Sequence, residues 1–104
     1  SDLATIICGE HIHLCDRVML GRDITIRDNN GNHYIAMRGY KDTRPVFIGQ
    51  HAWLCEGAII MPGVKIGDGA IIGAKSFVTQ NVSAYSMVSG NPAQVIEEDV
   101  YWKY

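Results

Sequence analysis

The chain has 104 residues, a net charge of −2, 47% hydrophobic residues and only 19% charged ones. That length holds one domain, the composition excludes a disordered polyelectrolyte, and the charge balance leaves no basic field to hold nucleic acid by its phosphates. No apolar run reaches the roughly 18 residues of a membrane span. Three cysteines without a CxxC pair indicate neither a disulfide framework nor a zinc knuckle, which suits a reducing, cytoplasmic setting.

Near the N-terminus apolar residues recur every six positions, at Cys8, Leu14, Leu20 and Ile26, with Ile12, Val18 and Ile24 four residues after the first three. A helix requires a period of 3.6 and a flat strand a period of two. A period of six instead suits a coil with three flat faces, each one short strand and a turn. The first residue of each hexad points into the prism, and the residue four on must fit near a corner. The residue directly after the first lies close to a bend, where glycine costs least; Gly9 and Gly21 take that place, and Cys15 takes it once. On this register Cys8 points inward, where a free thiol behaves as a small hydrophobe. His11 and His13 bracket the inward Ile12 and belong to the surface.

Ile26 to Ile48 is 22 positions, which six does not divide, so an irregular loop spans 28–47. Its Asp28-Asn29-Asn30-Gly31-Asn32 run is strong turn chemistry, and Arg44-Pro45 leads back into the repeat. The hexads then resume at Ile48, Leu54, Ile60, Ile66, Ile72 and Val78, followed four residues on by Ala52, Ala58, Val64, Ala70, Ser76 and Val82. Gly49, Gly67 and Gly73 follow the inward residue; Cys55 replaces one of these glycines. Trp53 falls on the outward phase, where a large aromatic invites a ligand or a neighbouring chain. His51 sits at a turn that tolerates any polar residue. Ser86-Met87-Val88-Ser89 reads as one more strand, Gly90-Asn91-Pro92 as a turn, Ala93 to Val100 as a short helix, and Tyr101-Trp102-Lys103-Tyr104 as aromatic cover for an open coil end. Coil segments 1–27 and 48–83, the loop 28–47 and the C-terminal 84–104 thus form one domain. About ten hexads make little more than three coils, and the uncapped start at Ser1 is compatible with the C-terminal piece of a longer protein.

Ile48-Gly49-Gln50-His51-Ala52-Trp53, Pro62-Gly63-Val64-Lys65-Ile66-Gly67-Asp68-Gly69-Ala70, Val78-Thr79-Gln80 and Gly90-Asn91-Pro92-Ala93 resemble the hexapeptide-repeat acyltransferases, above all the O-acetyltransferases of sugars and capsular polysaccharides. The resemblance implies a left-handed parallel β-helix with a protruding loop, against the usual right-handed crossover rule. It also implies a homotrimer with active sites between subunits and acetyl-coenzyme A as cosubstrate, acting on a carbohydrate hydroxyl without a metal. A hydroxyl needs a general base, and histidine suits that work. In the family the base lies in a polar loop about 20 residues ahead of the Gly-x-x-x-Trp motif, a place matched here by His33. Asp28, Asn30, Asn32 or a group from a neighbouring subunit would orient it.

The resemblance further implies that Trp53 lines the groove. Main-chain groups of Ala58, Ala74 and Ser76 would follow the pantetheine arm, with Lys75, Thr79, Gln80 and Gln94 toward the nucleotide. Relatives carry basic residues where this chain has Gln80, Gln94 and Glu97, which predicts a weak grip on the 3′-phosphate; Lys75 and Lys103 are the cations that could compensate. Tyr34, Arg38 and Trp53 are acceptor-binding candidates. Two other readings stand beside this one. A β-helix that has lost catalysis would serve as a binding or assembly module. A zinc carbonic anhydrase of the same fold would need three convergent histidines, which His11, His13, His33 and His51 do not offer by spacing.

Overall fold

The computed structural model describes residues 4–8, 11–29 and 44–103. Among them the chain forms twelve short strands and no helix. In order they are β1 (Ala4–Ile7), β2 (Ile12–Leu14), β3 (Met19–Leu20), β4 (Ile24–Arg27), β5 (Val46–Ile48), β6 (Trp53–Leu54), β7 (Ile59–Ile60), β8 (Lys65–Ile66), β9 (Ile71–Ile72), β10 (Phe77–Val78), β11 (Ser86–Gly90) and β12 (Ala93–Glu98). They make three faces of a parallel β-helix. Face A stacks β1-β4-β7-β10, face B stacks β2-β5-β8, and face C runs β3-β6-β9-β11 with β12 at its edge. A bridge between Ile66 and Val82 carries face B into a last turn, so four coils stack where the hexad count predicts little more than three.

The inward positions of the second run behave as the period demands. Ile48, Leu54, Ile60, Ile66, Ile72 and Val78 are at most 1% exposed, and Ala52, Ala58, Val64, Ala70 and Ser76 match them. Main-chain rungs hold each coil to the next: Met19 N–H donates to Ala52 C=O at 2.8 Å, Trp53 N–H to Ala70 C=O at 2.9 Å, and Cys55 N–H to Ile72 C=O at 2.8 Å. Side chains complete the corners, with Asn81 Oδ1 accepting the Lys65 N–H at 2.9 Å.

The two end coils depart from the period. Ile6, not Cys8, pairs with Ile26, so the first coil is two residues longer than three hexads. Cys8 consequently lies past the end of β1 and is exposed, not inward. Ile6 itself is 45% exposed, at the first rung of face A among the described residues. In the last coil the spacing shortens by two, with Ile66 opposite Val82 and Ile72 opposite Val88. The loop also closes earlier than read, since Val46 and Phe47 already belong to β5.

The C-terminal segment is a strand, not the expected helix. The Asn91-Pro92 turn returns the chain beside β11, and β12 pairs with it antiparallel from Gly90↔Ala93 to Ser86↔Glu98. β-Branched Val95 and Ile96 suit a pleated ribbon better than a helix, and the strand satisfies amides that β11 would otherwise leave open.

The glycines have a different task from the one the repeat suggests. Left-handed backbone falls three residues after the inward position, at His51 (φ 57°), Gly57 (76°), Gly63 (82°), Gly69 (67°) and Lys75 (59°). Gly49 and Gly67, directly after the inward residue, instead mark where coils touch. A Cβ on Gly67 would strike the main-chain N of Ala84 and come within 2.7 Å of its Cα. Gly67→Ala should therefore cost about 2–3 kcal/mol, because backbone cannot step aside. Gly63→Ala meets only the Arg44 side chain, at 3.3 Å, and should cost about 1–2 kcal/mol for its positive φ. Urea midpoints of the two variants check the order.

Candidate active site

The loop leaves the prism at the corner between faces A and B, and Asp28 anchors its root. The Asp28 carboxylate is fully buried. Its Oδ2 accepts the His11 N–H at 2.8 Å and its Oδ1 accepts Asn29 Nδ2 at 2.8 Å. Its carbonyl accepts the Arg44 N–H at 2.7 Å, which closes the loop mouth. His33, Asn30, Asn32, Tyr34 and Arg38 lie outside the described residues.

Trp53 stands on face C, 37% exposed, its ring outward as its phase requires. Face C is opposite the A/B corner in a three-sided prism, so Trp53 and the loop root are on different sides of one chain. Ala74 and Lys75 share the exposed corner that follows face C; Lys75 also donates its N–H to Glu56 C=O at 2.8 Å. Thr79 and Gln80 are one corner further round and exposed. Gln80 and Gln94 come together at the last coil, lining a hollow of about 270 Å³ with Val78, Val82, Val88 and Val95. Ala58 and Ser76 face the interior and are fully buried. Their main-chain groups serve the rungs: Ala58 C=O accepts from Thr25, and Ser76 C=O from Ile59. An external ligand reaches neither residue in this chain.

His51 is the residue the sequence undervalues. It is half-buried, and the indole of Trp102 lies flat on its ring, with centroids 3.9 Å apart and planes 2° from parallel. Trp102 Nε1–H donates to His51 C=O at 2.7 Å, and His51 Nε2 meets Trp102 C=O at 2.7 Å. A carbonyl only accepts, so Nε2 carries the proton. Trp102 also touches Trp53, ring centroids 5.5 Å apart. Trp102 thus covers the flank beside face C, whereas the sequence alone places it over an open coil end. No local signal announces this, because 51 positions separate the partners.

Burial pushes the Cys55 thiol up from its ordinary pKa, which keeps it protonated at neutral pH and unsuited to act as an acyl-accepting nucleophile. Among the described residues no three His, Cys, Asp or Glu side chains gather to hold a metal ion.

Residues 45–80 match the family described as bacterial transferase hexapeptide, six repeats. Over these residues the chain carries the six-residue repeat for which that family is named. A chloramphenicol acetyltransferase of Agrobacterium fabrum is 44% identical over 63 residues, covering 61% of this chain and 30% of its own length. The chain therefore spans about a third of the curated relatives it matches. A galactoside acetyltransferase solved in complex with coenzyme A superposes with a TM-score of 0.80 at 30% identity, covering 92% of this chain and 49% of that one. A maltose O-acetyltransferase from Clostridium difficile gives 0.72 at 26%, covering 93% and 68%. The hexapeptide fold is accordingly the left-handed parallel β-helix that the resemblance implies.

Proposed function

We propose that the chain is part of an acetyl-coenzyme A-dependent O-acetyltransferase acting on a carbohydrate hydroxyl in the cytoplasm. The observation that carries this reading is the likeness, across 92% of the chain, to a galactoside acetyltransferase solved with coenzyme A. His33 is the general base: it takes the hydroxyl proton as the oxygen attacks the thioester carbonyl, and returns a proton to the departing thiolate. A main-chain amide stabilises the developing oxyanion. The cosubstrate supplies the activated acetyl group, and no metal takes part. Asp28, buried at the loop root, is an orienting candidate with Asn30 and Asn32; Tyr34, Arg38 and Trp53 face the acceptor.

The site forms between chains of a homotrimer. Trp53 on face C and the loop root on the opposite corner support this, since a neighbour's loop can meet face C directly. Ala74, Lys75 and Thr79 follow the coenzyme toward its nucleotide. Gln80 and Gln94 give neutral contacts where a cation would grip the 3′-phosphate. Acetyl-coenzyme A and its 3′-dephospho form should then bind within about threefold of each other by calorimetry; a preference of tenfold or more overturns the weak-grip assignment.

A second acceptor class has its own support. The identity to chloramphenicol acetyltransferases, 41–44% over 63 residues, favours a hydroxyl on a small non-sugar molecule. Free coenzyme A released against a panel of sugars, oligosaccharides and chloramphenicol decides between them. Transfer to sugars alone upholds the carbohydrate reading, transfer to chloramphenicol alone replaces it, and no release with any acceptor removes the enzyme reading in favour of a binding module.

A further inference from the structure

The segment after β12 is built as a strap along the flank of face C. Asp99 turns it with φ 57°, and Val100 N–H bonds to Tyr85 C=O at 2.9 Å. Tyr101 packs on Tyr85 with ring centroids 5.2 Å apart, and Trp102 clips to His51 through the reciprocal hydrogen bonds described above. Two main-chain carbonyls and two ring N–H groups lock each other, so the indole of Trp102 has one orientation. That indole meets Trp53 in a tilted contact, with centroids 5.5 Å apart, inside the range of favourable aromatic pairs, and planes at 44°. Trp53 stands outward on its two-residue strand, between Met19 on the coil below and Ile71 on the coil above, and Trp102 is the aromatic ring that meets it.

We propose that Trp102 is a positioning residue for Trp53: the strap fixes the ring against which an acceptor sugar packs, and so sets acceptor affinity. This rests on the reading of Trp53 as a wall of the transfer groove. The chemistry suits a sugar, whose C–H face lies on a flat indole only if that indole is held still. A free Trp53 ring would have to be ordered at each binding event, which weakens binding without touching the chemical step.

The chain has two tryptophans, Trp53 and Trp102, so W102F and W102L each leave Trp53 as the sole indole. In the unaltered protein the indole pair should give an exciton couplet in the far-ultraviolet circular dichroism that both variants lose; its absence overturns the proposal whether or not the variants fold. W102F keeps an aromatic contact and should keep Trp53 emission nearly unchanged, whereas W102L should shift it to longer wavelength and raise acrylamide quenching. In the transfer assay W102L should raise the acceptor KM about two- to tenfold with kcat within twofold, and W102F should recover most of that loss. An active W102L enzyme with unchanged KM overturns the positioning role alone. Protein inactive toward every acceptor, with the couplet intact, overturns the transferase reading on which the role depends.

Discussion

Replacing His33 by alanine should lower kcat by about 10²–10⁴ while leaving acetyl-coenzyme A affinity unchanged. The size follows from the step that is lost. A sugar hydroxyl carries its proton firmly at neutral pH, so attack on a thioester must be accompanied by proton removal, and water is a poor substitute for a placed imidazole. The pH profile gives the prediction its sign. An ordinary imidazole is protonated below about pH 6.5 and cannot act as a base there. The unaltered protein should therefore lose kcat/KM as pH falls through that range, and His33→Ala should show a low, flat profile. Equal limbs in both proteins, or a loss of less than tenfold, assign the proton to another group. Calorimetry with acetyl-coenzyme A separates loss of chemistry from loss of binding, because nothing in the proposed role requires His33 to hold the coenzyme.

The prism was legible because its rule is local. Each face takes one residue inward per six, so Ile48 through Val78 could be read from spacing alone, and all six are buried. The rule fails in the first and last of the described coils, where the spacing between rungs is 20 and 16 residues. Cys8 continues the numerical period but stands outside the prism, because Ile6 takes the rung beneath Ile26. Val95-Ile96 is too short an apolar run to distinguish strand from helix, and the open edge of β11 decided it. Glycine spacing announced the coil, but its reason lay in coil-to-coil contact at Gly67 and not in turn geometry. The candidate site was legible only through motif likeness. Trp53 was placed by its phase, yet the ring it meets is that of Trp102, and no period links residues 53 and 102. Trp53 and the loop root lie on opposite sides of one chain, so the order of residues along it does not show whether they serve one site.

Ile60→Ala should cost about 2–5 kcal/mol, a large share of the 5–15 kcal/mol that stabilises an ordinary domain. Ile60 is fully buried on face A, between Ile26 below and Val78 above in the same column of rungs. Truncation leaves a hole that neighbours in a hydrogen-bonded stack cannot close, since the coils are held at fixed spacing by Thr25 N–H to Ala58 C=O and Ile59 N–H to Ser76 C=O. In a stacked-coil protein the loss also weakens two interfaces at once, the coil below and the coil above. Ile59, one residue earlier, is the control: it has the same side chain on the same strand, but it points outward and is only half-buried. In a single prism Ile59→Ala should cost about 1 kcal/mol or less. Denaturation at several protein concentrations separates two sources of any larger effect. A loss at Ile59 that shrinks on dilution places face A against a neighbouring chain, as the proposed trimer requires of some outward face. The Ile60 loss should be the same at every concentration, because it arises inside one chain. Equal and concentration-independent losses at both positions would mean that the six-residue period does not separate inside from outside on this face.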